Sequence, residues 1–198
     1  MIAIVDYGVG NFRSVERALI AEGAEVLVTH DAEDLKRAAG IVLPGVGAFA
    51  PAVERLTESG LGQQIIELVS LGKPLLGICV GYQLLYEESE EGGCNPGLGL
   101  LPGRVLPVAA SRVPVMGWCR VRQTCASPLW SGIANGAYFY FAHSYTPVGE
   151  SEYALGQSDY APLAAAARER IWGTQFHPEK SGPDGLRIYA NFLRLCYC

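Results

Sequence analysis

The chain has 198 residues, 49% of them hydrophobic and 18% charged, with 24 glycines and a formal net charge of −5. At this length one domain is expected over residues 1–198, burying about 70% of its unfolded surface. The acidic balance argues against a general nucleic-acid binder, which needs a basic face for phosphates, and no stretch is long and apolar enough to span a bilayer.

The first half alternates strand and helix. Met1–Val5 is apolar, ends at Asp6 and has no basic flank, so Ile2–Val5 reads as a first strand rather than a signal peptide. A helix over Phe12–Glu22 follows, with apolar positions at Val15, Ala18 and Leu19. Next come a strand at Glu25–Thr29, a helix from about Asp31, and a strand at Ile41–Leu43 closed by Pro44-Gly45-Val46-Gly47. Helices at Phe49–Ser59 and Leu61–Leu71 lead to a fourth strand, Pro74–Ile78. Such alternation predicts an α/β fold with a mainly parallel central sheet flanked by helices. From Arg104 onward the pattern changes to short β-rich runs, Val113–Met116, Ala137–Ala142 and Glu152–Leu155, which predict antiparallel strands. A strand at Arg170–Phe176 and a closing helix at Leu186–Leu195 complete the pass.

Six cysteines (79, 94, 119, 125, 196 and 198) form no C-x-x-C pair and no disulfide framework. A reducing, cytoplasmic setting suits them, and Cys196-x-Cys198 is expected to be a frayed tail rather than a metal site.

Cys79 is the informative one. It sits between an apolar strand and a predicted helix, with Gly77 and Gly81 two residues to either side. That spacing permits a sharp strand-to-helix turn that projects the sulfur from the top of a sheet. The N–H groups and dipole of the following helix would then activate it as a nucleophile. Nucleophilic sulfur needs a base and an orienting group. Of three histidines, His177 ends an apolar strand and is followed by Pro178 and Glu179. In an extended segment residues i and i+2 share a side about 7 Å apart, within reach of each other. A Cys79, His177, Glu179 set follows, with Glu179 holding the imidazole tautomer.

The runs Gly77-Ile78-Cys79-Val80-Gly81-Tyr82-Gln83 and Gln175-Phe176-His177-Pro178-Glu179-Lys180-Ser181 resemble the two signatures of class I, triad-type glutamine amidotransferases. Asp6–Val15, Pro44–Phe49, Met116-Gly117-Trp118 and His143-Ser144-Tyr145 resemble one branch of it, the glutaminase subunits of imidazole glycerol phosphate synthases. The resemblance implies hydrolysis of glutamine through a glutamyl thioester on Cys79, without metal or cofactor. It implies oxyanion donors at Val80 and Val46, the latter flanked by Gly45 and Gly47. It places Gln83, Glu91, Ser144 and Tyr145 against substrate, although Glu91 also belongs to an acidic run that reads as a solvated face. It implies a partner, a (β/α)8-barrel cyclase that receives ammonia in histidine biosynthesis and yields imidazole glycerol phosphate and an aminoimidazole carboxamide ribotide. Asn11, Trp118 and Lys180 would face that partner.

Four positions depart from the branch pattern: Val115, Cys119, Thr146 and Gly182. They leave open a paralogous glutaminase serving another synthase. A catalytically silent interaction subunit and an independent hydrolase of γ-glutamyl compounds are further alternatives. Gly8-Val9-Gly10 lacks the third glycine of a dinucleotide fingerprint, Arg13 standing there, so it reads as a partner-facing loop. His30 reads as a surface turn residue, and His143 as a strand-end or substrate-side group rather than the base.

Overall fold

The computed structural model describes residues 1–197. The parallel half is built from β1 (Ile2–Val5), α1 (Phe12–Ala21), β2 (Val26–Thr29), α2 (Ala32–Arg37), β3 (Gly40–Gly45), α3 (Phe49–Glu58), α4 (Leu61–Ser70) and β4 (Leu75–Cys79). Every residue of β1, β3 and β4 is buried. Both sheet faces are covered by helices, which is why these strands are continuous apolar runs rather than alternating ones. Helix α1 buries Val15, Ala18 and Leu19 on one stripe. Asp31 caps α2, its side chain accepting from the Glu33 N–H. His30, just before it, is exposed.

After a short helix α5 (Val80–Gln83) come β5 (Glu88–Ser89), β6 (Asn95–Pro96), β7 (Arg104–Pro107), β8 (Val115–Arg120), β9 (Arg122–Gln123), β10 (Tyr138–His143) and β11 (Tyr145–Val148). Then follow β12 (Ala154–Ser158), β13 (Ala161–Arg168), β14 (Ile171–Thr174) and α6 (Gly182–Cys196). The main sheet has the order β2-β1-β3-β4-β14-β13-β12-β9. It is parallel from β2 to β14 and antiparallel beyond. Strands β8 and β10 form a separate antiparallel ribbon, and β11-β7-β5-β6 a third small sheet.

Several expectations need correction. Strand β8 begins at Val115 rather than Val113, and Pro114 has no N–H to donate to a ladder. Glu152 lies in a 3₁₀ turn, so the strand there starts at Ala154. The alanine-rich β13 gave no strand signal, because alanine carries little β preference. Helix α6 starts four residues before Leu186 and runs through Cys196. Cys196 is therefore helical, not frayed, and its sulfur packs against Gly40. Cys198 lies outside the described residues.

The junction of β4 and α5 is tightly packed. A Cβ on Gly81 would collide with the carbonyl oxygen of Leu43, and one on Gly77 would lie 2.7 Å from the Cα of Tyr82. Neither neighbour is a flexible side-chain end, so neither can yield cheaply. Gly81→Ala is expected to lower unfolding stability by about 3 kcal/mol or more, the range for overpacking against fixed backbone. Urea denaturation checks this, and a loss under about 1 kcal/mol would contradict it.

Candidate active site

Cys79 has φ +54° and ψ −112°, a conformation that non-glycine residues rarely adopt. Such strain costs about 1–3 kcal/mol and persists only where the surroundings impose it. Here the imposition is visible. Parallel pairing sets Gly45 opposite Cys79, while Gly81 is pressed on the end of β3. The sulfur is thrown out of the sheet into the space above its carboxyl edge. Helix α5, however, is one turn long, too short for the macrodipole expected from sequence. What it offers instead is the unpaired N–H groups of its first residues, Val80 foremost.

His177 follows β14, the parallel neighbour of β4, so the sheet itself brings imidazole and thiol together. The Nδ1–Oε1 distance to Glu179 is 2.8 Å, and both side chains are buried, 4% and 2% exposed. Glu179 reaches back from a 3₁₀ turn, Pro178–Lys180, not from an extended segment. With Nδ1 engaged, Nε2 is left for Cys79. Burial pushes the imidazole's pKa down, but the Cys79 sulfur and the Glu179 carboxylate outweigh it, raising the value to about 9. The turn is clamped from β10: the Tyr140 carbonyl accepts the His177 N–H at 2.9 Å, and Ser181 Oγ accepts from the Tyr140 N–H at 2.9 Å and donates to the His177 carbonyl at 2.6 Å.

Cys79 opens into a cavity of about 240 Å³ that Gly47, Val80, Gln83, Glu91, Ser144 and Tyr145 also line. The geometry thus gathers these predicted residues round the sulfur. Gly45 and Val46 stand at the end of β3 beside the elbow rather than in the lining. A Cβ on Gly45 would lie 2.5 Å from the Gly81 nitrogen. Glu91 is half-buried and accepts the Phe49 N–H at the start of α3, unlike the exposed Glu87 and Glu90 of its acidic run. Of the predicted partner-facing residues, Trp118 is 56% exposed and meets Tyr140 edge-on, and Lys180 lies over the same Tyr140 ring at 5.7 Å. Asn11 makes a different contact, accepting from Ser14 Oγ. A larger cleft of about 520 Å³ around Ser111–Met116 and Tyr160 is lined by no cysteine or histidine.

The profile of the class-I glutamine amidotransferases matches residues 3–196. The chain belongs to the class-I glutamine amidotransferase family. It is 49% identical over 196 residues to an imidazole glycerol phosphate synthase subunit HisH of Bacillus cereus, covering 97% of this chain and 93% of the relative. To a subunit of the same name from Desulfitobacterium hafniense it is 50% identical, with the same two coverages. The fold matches a crystal structure of a glutamine amidotransferase with TM-score 0.81 at 21% identity, each chain fully covered. It also matches PurLQS from Thermotoga maritima with TM-score 0.75 at 19% identity, covering 98% and 97%.

In this amidotransferase, sequence reading missed two buried supports. Tyr7 donates its hydroxyl to the Pro44 carbonyl at 2.8 Å, pinning the end of β3 just before Gly45. Tyr189, on α6, donates to Glu179 Oε2 at 3.4 Å. Neither stands in the motif of the residue it holds, so only the folded chain reveals them. His143 also lines the pocket: its Nδ1–H donates to the Tyr145 carbonyl at 3.0 Å, and its Nε2 is buried without a partner.

The two imidazoles near Cys79 are tuned in opposite directions. Burial pushes His143 down to about 4, against the pull of the Tyr145 carbonyl and with a further push from His177. An unfolded histidine titrates at about 6.5, so as pH falls the unfolded chain protonates this residue first. The stability His143 holds above about pH 6.5 is lost as pH falls through 4, at about 1.4 kcal/mol per unit and about 3 kcal/mol in all. His177 runs the other way, its contribution complete below about pH 6.5 and lost as pH rises through about 9. Urea unfolding at stepped pH should show His143→Asn with a shallower acid loss than wild type, by about 3 kcal/mol between pH 6.5 and 4. Equal slopes would contradict the buried, neutral assignment.

Proposed function

We propose that this chain, a single glutaminase domain over residues 1–198, is the cytoplasmic glutaminase subunit of an imidazole glycerol phosphate synthase. The observation that carries the chemistry is the placement of His177, paired at 2.8 Å with the buried Glu179 carboxyl beside the strained Cys79. Cys79 sulfur attacks the side-chain carboxamide carbon of glutamine. His177 passes its proton to the departing nitrogen, which leaves as ammonia, and then takes a proton from the water that cleaves the thioester, releasing glutamate. Glu179 keeps the imidazole in the productive tautomer throughout. Val80 N–H and an N–H at Val46 receive the oxyanion, each donor worth about 3 kcal/mol of barrier. The fixed Pro44 carbonyl and the positive φ of Gly47 leave the Val46 peptide between an anchored end and a flexible one. Gln83, Glu91, Ser144 and Tyr145 bind the amino-acid end of the substrate.

Ammonia passes to a (β/α)8-barrel cyclase docked on the face that carries Trp118 and Lys180, with Asn11 at its margin. Against the paralogue reading stands the placement of the departures. Val115 and Thr146 are buried and Cys119 is half-buried, whereas the alternate residues of β8, Met116 and Trp118, are exposed. Of the four departures only Gly182, two residues from Lys180, is exposed, so at most one of them alters the face left for a partner.

The test is glutamate release by the purified chain, alone and with a histidine-pathway cyclase carrying its ribulosyl ligand. Slow turnover alone and at least a hundredfold stimulation in the complex are expected. Cys79→Ala should abolish turnover in that complex; normal turnover by this variant would sink the assignment. Full activity without any partner would instead identify an independent γ-glutamyl hydrolase.

A further inference from the structure

Gln175 is wholly buried one position past β14 and two before His177, and the chemistry described so far does not use it. Its side chain touches the nucleophile, with Nε2 3.8 Å from Cys79 Sγ. Its other end accepts from Gln83 Nε2 at 3.0 Å, and the same Gln83 nitrogen donates to the Tyr145 carbonyl at 2.8 Å. The direction of this chain follows from donor and acceptor chemistry. A backbone carbonyl only accepts, so the Tyr145 oxygen forces the nitrogen end of Gln83 toward itself. That nitrogen must then meet the oxygen end of Gln175, since two amide nitrogens cannot pair. The nitrogen end of Gln175 is left pointing at the sulfur. His143 Nδ1–H, on the same Tyr145 carbonyl, fixes the start of the series.

We propose that Gln175 is a further catalytic residue, an amide N–H donor to the Cys79 sulfur whose orientation is set by Tyr145 through Gln83. An amide donor differs from His177 in one useful respect. It never titrates in the working range and cannot take the sulfur's proton, so it favours sulfur anion without competing as a base. Because the series begins at the pocket wall, the substrate-binding edge and the nucleophile share one hydrogen-bonded unit. Both hydrogen bonds of the Gln83 side chain described above run through its nitrogen, so its oxygen is the end left to receive an N–H of the substrate.

The catalytic consequence rests on the glutaminase reading; the contact with sulfur does not, and the experiment separates them. The full chain is treated with iodoacetamide at fixed pH without glutamine, and Cys79 alkylation is followed by peptide mass spectrometry. Gln175→Glu keeps the shape and the oxygen that faces Gln83 but loses the donor. It should slow Cys79 alkylation at least fivefold and lower kcat in the cyclase complex by about tenfold to a hundredfold, the range for one hydrogen bond to a charged group. Gln83→Leu leaves Gln175 in place but frees it to turn over, and should slow alkylation severalfold; it also serves if the glutamate variant does not fold. A purely structural role would lower the melting temperature without slowing alkylation. Alkylation within twofold of wild type in the folded variants would overturn the proposal. Slowed alkylation in a chain whose wild type turns over no glutamine would support the contact and sink the glutaminase reading instead.

Discussion

The backbone of Cys79 is the constraint on which the rest depends. A left-handed φ on a side-chain-bearing residue is unfavourable by about 1–3 kcal/mol, and nothing within the residue repays it. The repayment is tertiary. Burying the apolar runs of β1, β3 and β4 stabilises by about 1.5–3 kcal/mol for each large side chain, and Ile2, Ile4, Val42, Leu76 and Ile78 are each at most 1% exposed. Those strands lock in parallel register only if β4 turns sharply where Gly81 meets the Leu43 carbonyl. The strained sulfur is therefore anchored by strands that are buried throughout.

From this one turn the remaining parts fall into place by adjacency. Pairing of β3 with β4 sets the Gly45–Gly47 segment beside the sulfur. Pairing of β4 with β14 delivers Gln175 and His177 from the other side. The ribbon of β8 and β10 lies against this site, its Tyr140 carrying backbone contacts to His177 and its Trp118 and Tyr138 exposed beside it. Two histidines close enough to feel each other's charge then titrate on opposite sides of neutrality. His177 has the Cys79 sulfur on one side and the Glu179 carboxyl on the other; His143 has burial and a single carbonyl.

Much of this was legible in the sequence, for physical reasons. Buried parallel strands announce themselves as short apolar runs, and glycines flanking Cys79 have no purpose in an ordinary strand. The Cys, His and Glu lie in short motifs, so the residues themselves were accessible. Local conformation was less so. Glu179 reaches back by a 3₁₀ turn, and α5 stops after one turn, because tertiary packing overrides the local signal at both places. Strand β13 was hidden by its alanines. Tyr7, Tyr189 and Ser181 act on groups far from them in sequence or through backbone atoms, and neither relation leaves a periodic trace. Gln175 stood inside a recognised motif, but only the fold shows that its amide ends on the sulfur.

Everything in the proposed reaction turns on the strained Cys79 being the nucleophile that takes the glutamyl group. Rapid mixing of the cyclase complex with glutamine, acid quenching within one turnover and peptide mass spectrometry test it directly. A glutamyl adduct on the peptide that carries Cys79, decaying as glutamate forms, is the predicted result. Glutamate formation with no adduct on Cys79, or with the adduct on another cysteine, would contradict the account.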